Sequence, residues 1–407
     1  MRVRAGSVGL AHVGIVTALT LTLNVTGCDA DTDTASWGTE STPNAEIRVP
    51  EWSEIPERTL SADPDLRIGE NEETGLLFHR LDEVRGRDDG SLIVADGGDL
   101  ALYVFDSGGA VQEKFGAAGF GPGEFRRIAG VVPVGEDSLL VFDPASLRLT
   151  WFDREGAVLE TIPVQPPEGS GFGLDVYRLA DVKTDGSVLL VPRGRVVRSG
   201  PEDGVRRERR PVLRLSASGE LLGALTAAQE REIFDGAIGS MDIPHGDHTS
   251  VVAGAGRIVE AEHRTGRIRV WADDGSVREI ALALEPRPMD PRVRGAWMAS
   301  FTDRIEDRAQ RLQAEAMLAD VPFPDIEPQI ERIYVGRDGA LWISPVDLTE
   351  PSPVTWIRLD PEGRAVERVS LPRDLRPQVI DSTQVVGIRR DSLGVHSVRR
   401  YRWIGDP

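Results

Sequence analysis

Short apolar runs alternate with glycine-containing turns along most of the chain, which is the pattern of short β-strands joined by tight turns. The turn Asp89-Gly90-Ser91 leads into the apolar run Leu92-Ile93-Val94-Ala95-Asp96. Related turn-and-strand pairs begin at Asp137, Asp185, Asp338 and Asp381, with a weaker copy at Gly256. This repetition predicts an all-β fold built from equivalent pieces.

A second repeated piece follows these strands: an aromatic or branched run that ends in Asp-x-x-Gly. Tyr103-Val104-Phe105-Asp106 leads to Gly109 in this way, and Trp151-Phe152-Asp153 leads to Gly156, 47 positions after Gly109. That period is typical of a four-stranded propeller blade. The repeats predict blades near residues 80–116, 127–164, 177–224, 248–284 and 330–371, and a sixth that begins near residue 378.

The sixth predicted blade is short of strands, and Leu66-Arg67-Ile68 is placed to complete it. An N-terminal strand that completes the last blade closes the ring and removes the exposed sheet edges that an open ring leaves. The sequence therefore predicts a six-bladed β-propeller over residues 61–407, closed by an N-terminal strand.

One segment breaks the β pattern. Apolar residues recur there at spacings of three and four, which predicts an amphipathic helical insertion over about 291–320. The stripe consists of Val293, Trp297, Phe301, Ile305, Ala309, Leu312 and Ala316. We expect it to pack against the edge of the propeller, since such stripes mostly serve packing. The alternative is a lid over one mouth of the central channel.

The first 27 residues have the features of an export signal. Arg2 and Arg4 precede an uncharged, mostly apolar run from Ser7 to Leu23, and Val25-Thr26-Gly27-Cys28 follows. These four residues resemble the lipobox of bacterial lipoproteins, which implies cleavage before Cys28 and acylation of its thiol and new amino group. The alternative is an ordinary signal peptide with an incidental cysteine.

Residues 28–60 are rich in Asp, Thr, Ser, Glu and Pro, and we predict that they form a flexible acidic tether. Together with the lipobox, this composition predicts a folded body outside the cytoplasm. We expect it to be lipid-anchored to a bacterial membrane in the cell envelope.

The repeats resemble six-bladed β-propellers of the NHL type. The stretch Gly119-Phe120-Gly121-Pro122-Gly123-Glu124-Phe125 is similar to that family's linker between consecutive blades. The closing stretch from Val385 to Val395 resembles that of uncharacterised propeller lipoproteins of the bacterial envelope. The resemblance covers roughly residues 65–405 and implies a fold rather than an activity.

Charge and cysteine content exclude several classes of function. The chain of 407 residues has 66 acidic and 47 basic residues and a formal net charge of −19. This balance argues against nucleic acid as a partner, because phosphate backbones are bound by basic surfaces. With a single cysteine, Cys28, the chain can form neither an internal disulfide nor a cysteine-based zinc site. We predict no cofactor.

Basic residues recur just before the predicted first strand of several blades. Because first strands line the channel of a propeller, these side chains are expected to ring one mouth. Guanidinium groups there would bind carboxylate or phosphate through forked hydrogen bonds. The candidate ligand-binding residues are Arg80, Arg127, Arg178 and His248. The alternative is that the arginines hold blades together by pairing with acidic neighbours, namely Asp82, Glu124 or Asp181.

Three histidines, His245, His248 and His263, suggest a metal site as a further hypothesis. Six-bladed relatives include metal-dependent lactonases and an amidating lyase, but no matching set of ligands can be assigned here. Histidine pairs in loops are mostly solvated. We assign no metal ligand and no catalytic residue, and the sequence contains no Gly-x-Ser-x-Gly, Walker or His-Glu-x-x-His motif.

The predicted function is that of a binding or scaffold module whose partner is an envelope protein, a peptide or a small anionic ligand. Loops on a rigid scaffold commonly carry such sites. Membrane contact is expected through the lipid anchor. The alternative is a propeller-type hydrolase or lyase that acts in the central channel, with or without a metal ion. A purely structural envelope scaffold is a third hypothesis.

Overall fold

The computed structural model describes most of the chain after the N-terminal region. The described residues are 45–47, 54–69, 76–165, 173–193, 204–236, 239–272, 274–282, 286–346, 348, 353–360 and 363–404. The predicted signal peptide, residues 1–27, and Cys28 lie outside the described residues. Among the described residues, no helix is long and apolar enough to cross a membrane.

Most described strands belong to antiparallel modules in which each strand pairs with the next along the chain. The N-terminal segment contributes β1 (Ala45–Ile47), β2 (Thr59–Leu60) and β3 (Leu66–Ile68). Module 1 consists of β4 (Leu81–Gly86), β5 (Leu92–Asp96), β6 (Ala101–Phe105) and β7 (Val111–Phe115). A short parallel pair, β8 (Ala117–Ala118) and β9 (Glu124–Phe125), leads to module 2, with β10 (Val131–Val134), β11 (Ser138–Asp143), β12 (Arg148–Asp153) and β13 (Val158–Pro163).

Modules 3 and 4 are joined into one larger sheet, because the last strand of module 3 also pairs with the first strand of module 4. Module 3 follows a single 3-10 turn, Leu174–Val176, and consists of β14 (Tyr177–Val182), β15 (Val188–Pro192), β16 (Gly204–Leu215) and β17 (Leu221–Gly236). The short β18 (Gly239–Asp242) pairs with β17. Module 4 consists of β19 (His248–Gly254), β20 (Arg257–Glu262), β21 (Arg267–Trp271) and β22 (Val277–Leu282).

Two helices separate module 4 from module 5. They are α1 (Pro291–Thr302) and α2 (Arg308–Ala319). Module 5 consists of β23 (Ile330–Val335), β24 (Leu341–Pro345), β25 (Val354–Leu359) and β26 (Ala365–Leu371). Module 6 consists of β27 (Leu375–Ile380), β28 (Gln384–Arg390) and β29 (His396–Ile404), and β3 pairs with β29 as its fourth strand.

The core lies between modules rather than inside one of them. In module 1, β5 and β6 are buried at every position, whereas four of the five residues of β7 are exposed. Strands that are covered on both faces are continuous apolar runs. The two middle strands of module 1 are therefore packed on both sides, and its outermost strand faces solvent.

Each hydrophobic cluster joins two modules, and the series returns to its start. Val104 of module 1 and Phe152 of module 2 share one cluster, and four further clusters join modules 2–3, 3–4, 4–5 and 5–6. Another cluster contains Val84 of module 1 with Val386 and Val398 of module 6. The last module therefore packs against the first.

The N-terminal segment runs along the last modules as a strap. β1 pairs in parallel with β22, and Ile55 is buried in the cluster between modules 4 and 5. Leu66 and Ile68 of β3 are buried, and β3 lies antiparallel to Val398–Arg400 of β29. β1 and β2 fall within the stretch 28–60 that composition assigns to the tether, so ordered strands begin before residue 61.

The helical insertion differs from the continuous amphipathic helix that the spacing predicts. The chain breaks after Thr302 and restarts at Arg308, because the Asp307 side chain accepts a hydrogen bond from the Gln310 amide (2.8 Å) and caps a second helix. The expected packing of the stripe is wrong for Phe301 and Leu312, which are 50% and 55% exposed.

The side chain of Glu124 contacts the glycine-rich linker that follows module 1. Its carboxylate accepts a hydrogen bond from the Gly121 amide (2.7 Å), and a Cβ at Gly119 would stand 2.0 Å from the same carboxylate oxygen. Gly123 adopts a positive φ of 75°, which favours glycine. The backbone conformation at Gly123 therefore favours glycine in the turn that leads to module 2.

Candidate functional site

Two consecutive acidic residues of β4 collect arginines from several modules. Arg80 and Arg193 approach the Asp82 carboxylate, each with a nitrogen-to-oxygen distance of 3.4 Å. The Glu83 carboxylate is 2.7 Å from Arg85 and 4.0 Å from Arg178. The main-chain oxygens of Leu81 and Asp82 accept hydrogen bonds from one more guanidinium, at 3.3 and 3.1 Å. We call this set the arginine cluster: Arg80, Arg85, Arg178, Arg193 and Arg376.

The strands place four of the five arginines, all but Arg85, where the first strands of the modules begin. Arg80 precedes β4, Arg178 is the second residue of β14, and Arg376 is the second residue of β27. Arg193 follows the last residue of β15, which pairs with β14. First strands of neighbouring modules contact one another, including β4 with β10 and β27, and β10 with β14. Side chains at these starts therefore converge.

Positive charge in the cluster exceeds negative charge. Five guanidinium groups face two carboxylates, so the local balance is opposite in sign to that of the whole chain. Burial lowers the pKa of Arg178; Glu83 opposes that shift, and Arg85, Arg193 and Arg376 add to it. Repulsion among like charges is relieved when an anion enters, so the cluster has the electrostatics of an anion site.

The cluster is open to solvent on one side. The Arg80 side chain is 55% exposed and that of Arg193 37%, whereas Arg85 is 23% exposed and the Asp82 carboxylate 12%. Arg80 and Arg193 are therefore more exposed than Arg85, and the Asp82 carboxylate is less exposed than any of the three.

The candidates predicted from sequence separate into two groups. Arg80 and Arg178 lie in the cluster, on Asp82 and Glu83. Arg127 instead donates a hydrogen bond to the main-chain oxygen of Asp175 at 2.9 Å. His248 stacks on His263 with ring centroids 3.7 Å apart, and its Nδ1 is 3.1 Å from the Gly246 carbonyl oxygen.

The alternative, that arginines hold blades together by pairing with acidic neighbours, applies to Asp82. Its carboxylate pairs with Arg80 of its own module and with Arg193 of module 3. The Glu124 carboxylate accepts from the Gly121 amide, and Asp181 accepts from the amides of Val182 and Gly256 (2.9 and 3.1 Å). Asp82 therefore holds two modules together and leaves the excess of positive charge in place.

The sequence reasoning did not identify Arg85, Arg193 and Arg376 as site residues. A signal for Arg376 was present, because it stands four positions before Ile380, as Arg80 does before Val84. Arg85 follows Val84 on the same strand with the opposite orientation. Arg193 lies at the far end of a second strand, and its approach to Asp82 depends on how modules 1 and 3 face each other.

Two buried carboxylates, which the sequence analysis did not identify, position the segments before β4 and β10. Asp96 accepts hydrogen bonds from the amides of His79 and Arg80, at 2.9 and 3.0 Å. Asp143 accepts from the amides of Arg126 and Arg127, at 2.9 and 3.2 Å. Burial raises the pKa of Asp96, but its four backbone hydrogen bonds outweigh that effect and hold the pKa below its usual value.

The histidines proposed as metal ligands are engaged otherwise. His263 is 2% exposed; its Nδ1 is 2.7 Å from the Ile330 carbonyl oxygen and its Nε2 2.7 Å from the Ser250 hydroxyl. Since a carbonyl only accepts, Nδ1 carries the proton and Nε2 accepts from Ser250. Both nitrogens of His263 are therefore occupied, which argues against a metal at this position.

A second grouping with metal-ligand chemistry lies beside the cluster. The ligand atoms of His79, Asp96 and Asp99 lie within 4.8 Å of one another, with His79 Nδ1 2.8 Å from Asp99 Oδ1. The Asp96 oxygens already accept backbone amides. This grouping is explained by the hydrogen bonds that fix the segment before β4.

The buried histidine predicts acid sensitivity. Burial, with a smaller contribution from His248, lowers the pKa of His263 to about 3. The unfolded chain then binds a proton near pH 6.5 that the folded chain binds only near pH 3, so stability falls as pH falls between these values. Between pH 7 and pH 5 this linkage costs about 2 kcal/mol. Urea unfolding of the wild type and His263→Gln at both values measures it, and parallel losses in the two proteins would contradict it.

Comparison with known proteins identifies the fold of this chain. No protein-family model and no curated protein sequence matches the chain. A solved member of the DUF4221 family from Bacteroides vulgatus is similar over 86% of this chain and 100% of its own, with 11% identity and a TM-score of 0.51. The chain has a β-propeller fold.

Two further propeller structures are similar over most of their length. Virginiamycin B lyase from Staphylococcus aureus matches 83% of this chain and 98% of its own, with 9% identity and a TM-score of 0.42. The calcium-binding protein regucalcin from Agrobacterium tumefaciens matches 86% and 98%, with 10% identity and a TM-score of 0.39. At sequence identities this low, structural similarity shows the fold alone. The function of this chain therefore has to be inferred from its own side chains.

Proposed function

We propose that this chain is a six-bladed β-propeller that binds an anionic group at the mouth of its channel. Modules 1 to 6 are its blades, and β3 supplies the outermost strand of the last blade. Two features support the closed ring: the cluster that joins module 6 to module 1, and the pairing of β3 with β29. Closure leaves no unpaired inner sheet edge.

The anionic group binds to the arginine cluster. The excess of guanidinium groups over carboxylates around Asp82 and Glu83 carries this proposal. Carboxylate and phosphate oxygens match the forked geometry of guanidinium, and each charge-assisted hydrogen bond contributes about 1.5–3 kcal/mol. Arg80 and Arg193 are exposed enough to receive the ligand, and Arg178 lies behind them.

The propeller is exported and lipid-anchored through Cys28 to a bacterial membrane in the cell envelope. This part of the proposal rests on the basic start, the apolar run and the lipobox of the sequence. Lipidation is measured by mass spectrometry of the purified chain, which should begin at Cys28 and carry acyl mass. A chain that begins elsewhere or without acyl groups contradicts it.

The Ser250–His263 pair does not have the properties of a catalytic nucleophile and base. A nucleophile and base must reach a substrate, and the base works best with a pKa near the operating pH. His263 is 2% exposed and its pKa is about 3, so it meets neither requirement.

Replacing Arg80 and Arg193 with glutamine is expected to weaken the binding of inorganic phosphate at least about tenfold, because two charge-assisted contacts are lost. Isothermal titration calorimetry at low ionic strength measures the affinity. Arg364→Gln is the matched control, since Arg364 is 67% exposed on a turn of module 5. Equal phosphate affinity in the wild type, the double variant and the control would overturn the proposed site.

A further inference from the structure

The five arginines of the cluster differ in how far the protein itself neutralises them. The Glu83 carboxylate is fully engaged, because one oxygen pairs with Arg85 at 2.7 Å and the other accepts a backbone amide of module 2 at 2.9 Å. The Asp82 carboxylate is shared by Arg80 and Arg193, at 3.4 Å from each. The two acids are thus taken up by three of the five arginines.

The other two arginines have no carboxylate oxygen at hydrogen-bond distance among the described residues. Arg178 comes no closer than 4.0 Å to Glu83, and its side chain is 29% exposed. Arg376 is exposed and donates to the main-chain oxygens of Leu81 and Asp82, at 3.3 and 3.1 Å. Both guanidinium groups therefore keep N–H donors for an acceptor that comes from solvent.

All of these contacts fall on one short stretch of β4. Leu81, Asp82 and Glu83 are consecutive, and three consecutive strand residues span about 7 Å. The register between β4 and β5 shifts here, and such a bulge re-aims side chains. Both acids are approached from module 3, by Arg193 and by Arg178. One small molecule can therefore contact arginines of both kinds.

A ligand with one anionic group leaves most of this charge without a partner. A carboxylate has two oxygens, and a single forked guanidinium occupies both. The cluster instead offers guanidinium groups from modules 1, 3 and 6, and its five positive charges exceed the two negative ones by three. Two or more anionic groups on one molecule match this arrangement better than one.

We propose that the ligand is a small polyanion with at least two separate anionic groups. Arg80 and Arg193 bind one group, and Arg178 and Arg376 bind the second. This inference rests on the proposed function, because it places a second anionic group in the same cluster. The groups are carboxylates or phosphates, since both have the oxygen geometry that guanidinium recognises.

The test compares anions of one and of two groups by isothermal titration calorimetry at low ionic strength. Succinate and pyrophosphate carry two groups, whereas sulfate carries two charges on a single group. Succinate and sulfate have the same charge, so their difference in affinity reports the number of groups. We expect at least one of the two-group anions to bind the wild type at least about tenfold more tightly than sulfate. Whichever binds more tightly identifies the groups as carboxylate or phosphate.

Replacing Arg178 and Arg376 together with glutamine is expected to abolish the advantage of the two-group anions over sulfate. Arg292→Gln/Arg364→Gln is the charge-matched control, because it removes two exposed arginines from α1 and module 5 and should keep the advantage. Arg376→Gln alone gives a second measurement at an exposed side chain and should lose part of the advantage.

The outcomes separate this inference from the proposed function. Equal affinity of the wild type for sulfate, succinate and pyrophosphate overturns the polyanion. An advantage that persists in Arg178→Gln/Arg376→Gln, with the variant folded by circular dichroism, overturns it as well. In both cases the anion site itself stands if Arg80→Gln/Arg193→Gln weakens sulfate binding. Unchanged sulfate binding in that variant overturns the site as well.

Discussion

A chain that lacks residues 1–75 is expected to lose more than about 5 kcal/mol of its free energy of unfolding, which is most of the stability of an ordinary domain. Ile55, Leu66 and Ile68 are buried at 2%, 7% and 5% exposure, and each contributes about 1.5–3 kcal/mol. Without Asp65, the guanidinium of Arg400 also loses a two-point ion pair in which both distances are 3.0 Å.

The control is a chain that lacks residues 1–44 only, because it keeps β1, β2 and β3. Urea unfolding followed by circular dichroism compares the two, and size-exclusion chromatography reports association through the edge of β29 that the missing strand uncovers. An unchanged urea midpoint in the shorter chain would show that β3 is an accessory strand and that the last module is stable without it.

The repeated modules could be predicted because each strand signal is local. Leu92–Asp96 is an apolar run bounded by a glycine turn, and it becomes a strand buried on both faces. The pairing of Leu66–Ile68 with β29 was predicted by elimination, since the last module lacked a strand. The break between α1 and α2 depends on Asp307, whose capping role competes with the continuous apolar spacing.

Of the four candidate residues, Arg80 and Arg178 lie in the arginine cluster, whereas Arg127 and His248 lie beside inserted segments. Arg127 reaches the carbonyl of Asp175 because the 3-10 turn Leu174–Val176 places that oxygen beside it. His248 lies outside the arginine cluster because it pairs in the sheet with Arg231 of the long strand β17. Spacing within one module cannot reveal contacts that a neighbouring insertion supplies.

The net charge of the whole molecule limits the distance over which the arginine cluster attracts anions. With a net charge of −19, the chain repels anions at long range. Salt screens such repulsion beyond about 10 Å at 0.1 M, whereas contacts in a partly buried cluster are screened much less. The arginines therefore act on an anion at short range.

The buried carboxylates Asp96 and Asp143 connect stability to the site. Each is 0% exposed, and each accepts four backbone amides: two from the segment before a first strand and two from its own turn. The same arrangement of one buried carboxylate and four backbone amides therefore occurs in both module 1 and module 2. It fixes the backbone from which Arg80 enters the cluster.

Asp96→Ala and Asp143→Ala are each expected to lower the free energy of unfolding by about 4 kcal/mol, because several buried amides lose a charged acceptor at once. Asp96→Asn should lose about half as much, since the amide oxygen still accepts from part of the set. Urea unfolding measures the losses. Asp106→Ala is the control: this half-buried aspartate accepts two turn amides at 2.9 Å, and its loss should cost about 1 kcal/mol.

Phosphate binding by Asp96→Asn and by the corresponding variant Asp143→Asn tests the link to the site. Asp96→Asn frees the segment that carries Arg80 and should weaken phosphate binding, whereas Asp143→Asn frees Arg127, which lies outside the cluster, and should leave it unchanged. Equal stability losses with unequal affinities would assign Asp96 a positioning role. Equal affinities in both variants would mean that Arg178, Arg193 and Arg376 hold the anion without a contribution from the position of Arg80.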